Sequence, residues 1–146
     1  MQNNVGLTGL IARTSHLYRM KLNSLMNQNN IDLSSEMCGV LIELWKMDGR
    51  SQQELADTLH KDKGGMAKII SGLEQRKLII RPVNDSDRRQ KIIQLTQKGK
   101  RIRQKVEPLI NELRTSALKN LNSNDLQHAD SVLNAIIHNL HQTDLE

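Results

Sequence analysis

The stretch that most restricts the fold is residues 51–95, where two short amphipathic helical patterns are followed at once by two β-branched runs. In "SQQELADTL", Ser51 and Glu54 have the spacing of a capping box, in which each side chain satisfies the other residue's backbone N–H, so a helix starts there. Leu55, Ala56 and Leu59 form its apolar side, and "HKDK" makes a turn. The spacing then predicts a helix from Asp62 or Lys63 to Arg76 that buries Met66, Ile69, Ile70 and Leu73. Two short helices joined by a tight turn, the second rich in lysine, form a helix-turn-helix. "LIIRPV" and "KIIQL" read as strands, and the seven residues "NDSDRRQ" between them as the charged tip of a β-hairpin. Pro82 lacks an N–H and confines its strand to an edge. A hairpin directly after a helix-turn-helix is a wing.

Long helices flank this unit. Residues 5–28 place Leu7, Leu10, Ile11, Leu17, Tyr18, Leu22, Leu25 and Met26 mostly at helical spacing, until "QNNID" ends the helix. A second helix is expected from about Ser35 to Met47, with Val40, Leu41, Leu44 and Trp45 on one face and Gly49 suited to a left-handed position beyond it. Thr96 caps a helix over residues 97–121 that Pro108 is expected to kink. After "NSND", a last helix carries Leu126, Ala129, Leu133, Ile136 and Leu140 at heptad positions, with Val132 and Ile137 beside them. The 146 residues, 37% hydrophobic with no Phe, one Trp and one Tyr, suffice for one aliphatic core.

The expected fold is mainly α with a small β-hairpin wing. One domain spans residues 1–146, with the helix-turn-helix at about 51–76, the wing at about 79–95 and dimerisation helices at about 5–28 and 97–142. Terminal helices with long apolar stripes and no other domain to cover them require a second copy, so a homodimer is expected.

Charge points to the partner. Residues 61–105 hold fourteen Lys and Arg against four acids, so this stretch alone exceeds the chain's net charge of +5 and the remainder is net acidic. A basic block spanning several elements implies a polyanion, here double-stranded DNA. With Met66, Ile69, Ile70 and Leu73 turned inward, the outward face of the second helix carries Lys63, Gly64, Ala67, Lys68 and Ser71. Lysines there can donate to phosphates or guanine edges in a major groove. Gly64 and Gly65 sit in the first helical turn, where backbone N–H groups lack intrahelical partners and attract an anion, so the backbone can approach a DNA phosphate. At the wing tip, Arg88 and Arg89 can enter a minor groove, with Asp87 holding an arginine in orientation.

The segment "SQQELADTLHKDKGGMAKIISGLEQRKLIIR…NDSDRRQKIIQLTQKG" resembles the MarR family of bacterial transcription regulators. The resemblance rests on the helix-turn-helix, the Leu73-Glu74 pair near the end of its second helix, the wing motif Asp87-Arg88-Arg89, and Leu95-Thr96 with Gly99 three residues after the threonine. Length and long terminal helices extend it over nearly the whole chain. It implies a homodimer that places two winged modules on a pseudo-palindromic operator, as a repressor whose DNA affinity a small-molecule effector of unknown identity modulates. Members of the family often carry Ser or Thr around the positions of Gly64, Gly65 and Ala67, and Arg where Lys68 stands. Lys77 replaces a frequent helix-ending glycine and would need a left-handed backbone.

Other readings explain less. The single cysteine, Cys38, excludes an internal disulfide and a multi-cysteine zinc site. A redox-responsive regulator using Cys38 is an alternative, although its helical neighbours Leu41, Ile42 and Trp45 mark it as a small buried hydrophobe. His128, His138 and His141 lack a cluster that would complete a metal site, so neither metal nor cofactor is expected. An effector-independent architectural DNA-binding protein is a second alternative. A nucleotide-dependent enzyme is a third, but "DKGGMAK" lacks both the P-loop spacing and the preceding strand, and no catalytic arrangement has a recognisable context. No apolar stretch reaches membrane-spanning length and no signal-peptide core is present, so a cytoplasmic protein that is not an enzyme is expected.

Overall fold

The computed structural model describes residues 5–82 and 92–143, and the chain divides into two compact units, residues 1–113 and 114–146. The first unit contains α1 (Val5–Gln28), α2 (Ser35–Lys46), β1 (Arg50–Ser51), α3 (Gln52–Thr58), α4 (Lys63–Gln75), β2 (Ile79–Ile80), β3 (Ile92–Leu95), α5 (Gln97–Arg101) and the start of α6 (Arg103–Ala117). The second holds the end of α6 and α7 (Ser123–Gln142).

Helix starts are set by side chains that take otherwise unpaired backbone donors. Ser34 accepts from the Met37 N–H at 3.2 Å, and Ser51 and Glu54 close the full capping box with two bonds of 3.0 Å. Asp62 caps α4, Thr96 caps α5 and Asn122 caps α7 in the same way. The core beneath these starts is aliphatic: Met26, Leu41, Leu44, Leu55, Met66, Ile70, Leu73 and Leu78 are almost fully buried. No charged or polar residue is buried among the described residues.

The sheet has strand order β1-β3-β2, antiparallel throughout. Ile79 and Ile80 pair with Leu95 and Gln94, while Arg50 and Ser51 pair with Ile93 and Ile92. β2 therefore lies at an edge, where Pro82 two residues on removes no ladder donor. β1 has no counterpart in the sequence reading, because two residues show no alternation and become a strand only by pairing with β3. Arg50 fixes it in place, donating to Glu43 at 2.9 Å and to Thr58 Oγ1 at 2.7 Å. Hydrogen bonds from Lys46 first and then Arg50 hold the Glu43 carboxyl below its usual range.

After Thr96 the structure departs from the single helix expected over 97–121. The break falls at Ile102, between α5 and α6, and α6 runs through Pro108 to Ala117. The Gly99 carbonyl, which an unbroken helix would offer to the Arg103 N–H, accepts the Trp45 indole N–H at 2.9 Å. A side chain from α2 thus interrupts the ladder before the proline. Asn120, with φ 63°, lies in the left-handed region between α6 and α7.

Gly99 has a second role, since a Cβ there would overlap the backbone carbonyl of Leu78. Backbone cannot swing aside as a flexible side chain can. Gly99→Ala is therefore expected to cost about 3 kcal/mol in urea unfolding. Gly39→Ala, where an added Cβ meets nothing within 4 Å, should instead gain about 0.5–1 kcal/mol. Equal effects at the two sites would remove the close approach from the account.

Cys38 is wholly buried, and burial raises its thiol pKa from 9.0 to about 11, against a smaller lowering from a backbone hydrogen bond. Between pH 9 and 11 the unfolded chain releases a proton that the folded chain keeps, so this group lowers stability as pH rises through that window. Cys38→Ala should flatten the decline relative to the parent by up to about 1.4 kcal/mol per pH unit. The native thiol should also resist iodoacetamide at pH 8; rapid labelling without unfolding would contradict its burial.

Candidate nucleic-acid interface

The sequence of α4 sorts itself into two faces. Met66, Ile69, Ile70 and Leu73 are buried, while Lys63, Gly64, Ala67, Lys68 and Ser71 are exposed. The helix thus presents two ammonium groups beside small side chains that let an incoming backbone come close. Across an open groove stand Gln52, Gln53 and Asp57 of α3, so the surface has two walls rather than one. The α3 wall was missed in the sequence, although the glutamines just after the Ser51 cap were its available signal.

The first turn of α4 corrects one expectation. The Gly65 N–H is not open to a phosphate, because it donates to the Asp62 carboxylate. A Cβ on Gly65 would lie 2.9 Å from Asp62 Oδ1, so the glycine accommodates the cap. Gly65 is half-buried and belongs to the helix start, whereas Gly64 remains on the exposed face. An acid at an N-terminus interacts favourably with the helix dipole.

The far end of α4 is tied down by backbone and charge. Lys77 adopts φ 58°, the left-handed conformation that its position demands. Arg76 donates to the Gly72 carbonyl and the Asp32 carbonyl, both at 2.8 Å, and pairs with the Asp32 carboxylate at 3.1 Å. Lys98 Nζ donates to the Arg76 carbonyl at 2.9 Å, and Thr96 Oγ1 donates to the Lys77 carbonyl at 2.7 Å. The Thr96 N–H donates to the Leu78 carbonyl at 3.0 Å.

These contacts divide the basic block by task. Lys61 pairs with Glu36, Arg76 with Asp32, Arg81 with Glu74 and Arg103 with Glu107. The bidentate Glu107 contact raises the Arg103 pKa further. Lys63 and Lys68 have no acid partner among the described residues, so they keep charge for an outside anion. Asp87, Arg88 and Arg89 at the wing tip lie outside the described residues. Among the described residues, no three His, Cys, Asp or Glu side chains gather as a metal site, and no helix is long and apolar enough to cross a membrane.

A sequence model of the MarR family matches residues 33–91, from just before α2 through the second helix and into the wing. Solved structures share the fold over nearly the full chain. The transcriptional regulator PA3341 is 26% identical, with TM-score 0.79, covering 94% of this chain and 99% of its own. MepR from S. aureus, solved as a DNA complex, is 23% identical with TM-score 0.81, covering 90% and 96%. CouR from Rhodococcus jostii RHA1, bound to p-coumaroyl-CoA, is 19% identical with TM-score 0.76, covering 92% and 91%. Residues 33–91, which hold the helix-turn-helix and the wing sequence, thus match the MarR family model, and the chain shares the fold of these transcriptional regulators.

Proposed function

We propose that the chain is a cytoplasmic transcriptional regulator, acting as a repressor, that binds a pseudo-palindromic operator as a homodimer and loses affinity when a small effector binds. The observation that carries this reading is the split face of α4. Its apolar residues are spent on the core, while Lys63 and Lys68 are left exposed without acid partners beside Gly64, Ala67 and Ser71. A helix held in that way can lie in a major groove, its lysines meeting phosphates or guanine edges. Arg88 and Arg89, on the connection between β2 and β3, supply the minor-groove contact, and Asp87 orients them. MepR, of the same fold, was solved on DNA, and CouR with an acyl-CoA, which favours DNA and a small molecule as the two partners.

The homodimer is supported by apolar surface on the terminal helices. In α7 no residue is buried, and Val132, Leu133, Ile137 and Leu140 are 42–65% exposed. Leu10, Leu17 and Met20 of α1 are also exposed. Runs of this kind on a single chain mark a surface that a second copy covers. Two recognition helices must then be spaced by about one DNA turn, roughly 34 Å, so a change in that spacing lowers affinity. No step in this mechanism requires catalysis.

DNase footprinting on DNA flanking the chain's own gene should protect a defined palindrome. Uniform protection without boundaries would favour the architectural alternative. Lys63→Ala and Lys68→Ala should each weaken binding and reduce the slope of log affinity against log salt by about 1, with the fold intact by circular dichroism. Unchanged slopes would take α4 out of the DNA contact. Sedimentation should give a dimer, and Leu133→Glu with Ile137→Glu should give folded monomers that bind the palindrome far more weakly. A parent that sediments as a monomer would sink the dimer reading.

A further inference from the structure

The open groove between α3 and α4 has Lys63 on one wall and acids on the other, Glu54 and Asp57. Glu54 is spent on the capping box, where it accepts the Ser51 N–H at 3.0 Å. Asp57 is exposed, and its carboxylate meets one partner among the described residues, Gln53, whose Nε2 donates to Oδ1 at 2.8 Å. A carboxylate only accepts, so this bond fixes which way the Gln53 amide faces and holds the acid in place. The second oxygen is left without a donor, and no lysine or arginine pairs with Asp57 among the described residues.

Folding alone does not account for an acid at this point. Asp57 lies in the last turn of α3, the end at which the helix dipole favours a cation and disfavours an anion. It also lines the groove that receives DNA in the proposed function, and phosphates repel it.

The chemistry of the major groove restricts what can lie against such a group. Guanine O6 and N7, adenine N7 and thymine O4 all accept, as phosphate oxygens do; the donors are the amino groups at cytosine N4 and adenine N6. A carboxylate oxygen dehydrated against an acceptor costs far more than one that meets an N–H. An amino base therefore satisfies Asp57, and a keto base leaves it unpaired.

We propose that Asp57 is a specificity-determining residue. Held by Gln53, it selects cytosine or adenine at one position of each operator half-site and rejects guanine or thymine there. The inference rests on the proposed function and adds a preference that Lys63 and Lys68 cannot supply, since lysine favours the acceptors that Asp57 rejects.

The test is in vitro selection from a randomised DNA duplex library, with the full chain and with Asp57→Ala. Fluorescence-anisotropy titrations then use the parent's selected site with each of the four bases at the preferred position. For the parent, guanine or thymine there should bind about tenfold more weakly than cytosine or adenine. For Asp57→Ala the four bases should bind within about twofold of one another, the rest of the site should be unchanged, and affinity for scrambled DNA should rise. Alanine removes an anion from the C-terminal end of α3, so the variant should melt no lower than the parent. Should it misfold, Asp57→Asn must widen the choice to keto bases, because its amide donates as well as accepts. The proposal is overturned by a parent site with no amino-over-keto position, or by the same preference in the variants. A uniform rise in affinity for every sequence, with base preferences intact, also overturns it. A parent that enriches no site at all sinks the proposed function; a defined site that Asp57 variants leave unaltered sinks this inference alone.

Discussion

The structure of the first unit depends on one close backbone approach, that of Gly99 to Leu78. The missing Cβ allows the Leu78 carbonyl to meet the first turn of α5, where it accepts the Thr96 N–H. Thr96 in turn accepts the Gly99 N–H through its hydroxyl and donates to Lys77. Gly99 hands its own carbonyl to Trp45 of α2. Within four residues, the start of α5 is tied to the end of α4, to the start of β2 and to α2. The threonine–glycine spacing is therefore a mechanical requirement: a cap at Thr96 puts residue 99 against the strand, and only glycine fits there.

That junction also explains why the basic block is not one surface. Cations near it serve the fold: Arg76 binds the loop before α2, Lys98 binds the end of α4, and Arg81 binds Glu74. Partly exposed ion pairs of this kind contribute little stability individually. Their effect is to choose among arrangements, because each pairing satisfies a carbonyl or carboxylate that another orientation of α4 would leave unmet. What remains unpaired on α4 is a narrow strip, Lys63 and Lys68, which is more selective in position than the sequence charge suggested.

Much of this was legible because it is local. The capping box at Ser51, the apolar face of α4 and the left-handed turn at Lys77 each depend on residues within a few positions of one another, and the structure has all three. The features that escaped are long-range. β1 exists only because β3 lies beside it, and the break at Ile102 arises from a tryptophan 54 residues before Gly99. Pro108 carried the visible signal for a kink, and the helix that contains it runs on to Ala117. At Gly65 the sequence analysis expected backbone N–H groups open to a phosphate, whereas the Gly65 N–H donates to the Asp62 carboxylate three residues before it. The wing-tip residues Asp87, Arg88 and Arg89 lie outside the described residues, so their roles rest on the sequence motif.

The two ends of α4 now carry a mechanical consequence. At its start the Asp62 cap holds the first turn, and at its end Arg76, Lys98 and Thr96 hold the last turn and the residues beyond it. With Met66, Ile70 and Leu73 fully buried between these points, bending the helix would open core and leave capped groups unpaired together. Such a helix responds to a perturbation by moving whole with its neighbours rather than by local melting. A perturbation at Asp32 or Lys98 is therefore delivered to Lys63 and Lys68 as a change of position, and under the proposed function, in which α4 seats in a groove, position is what sets affinity.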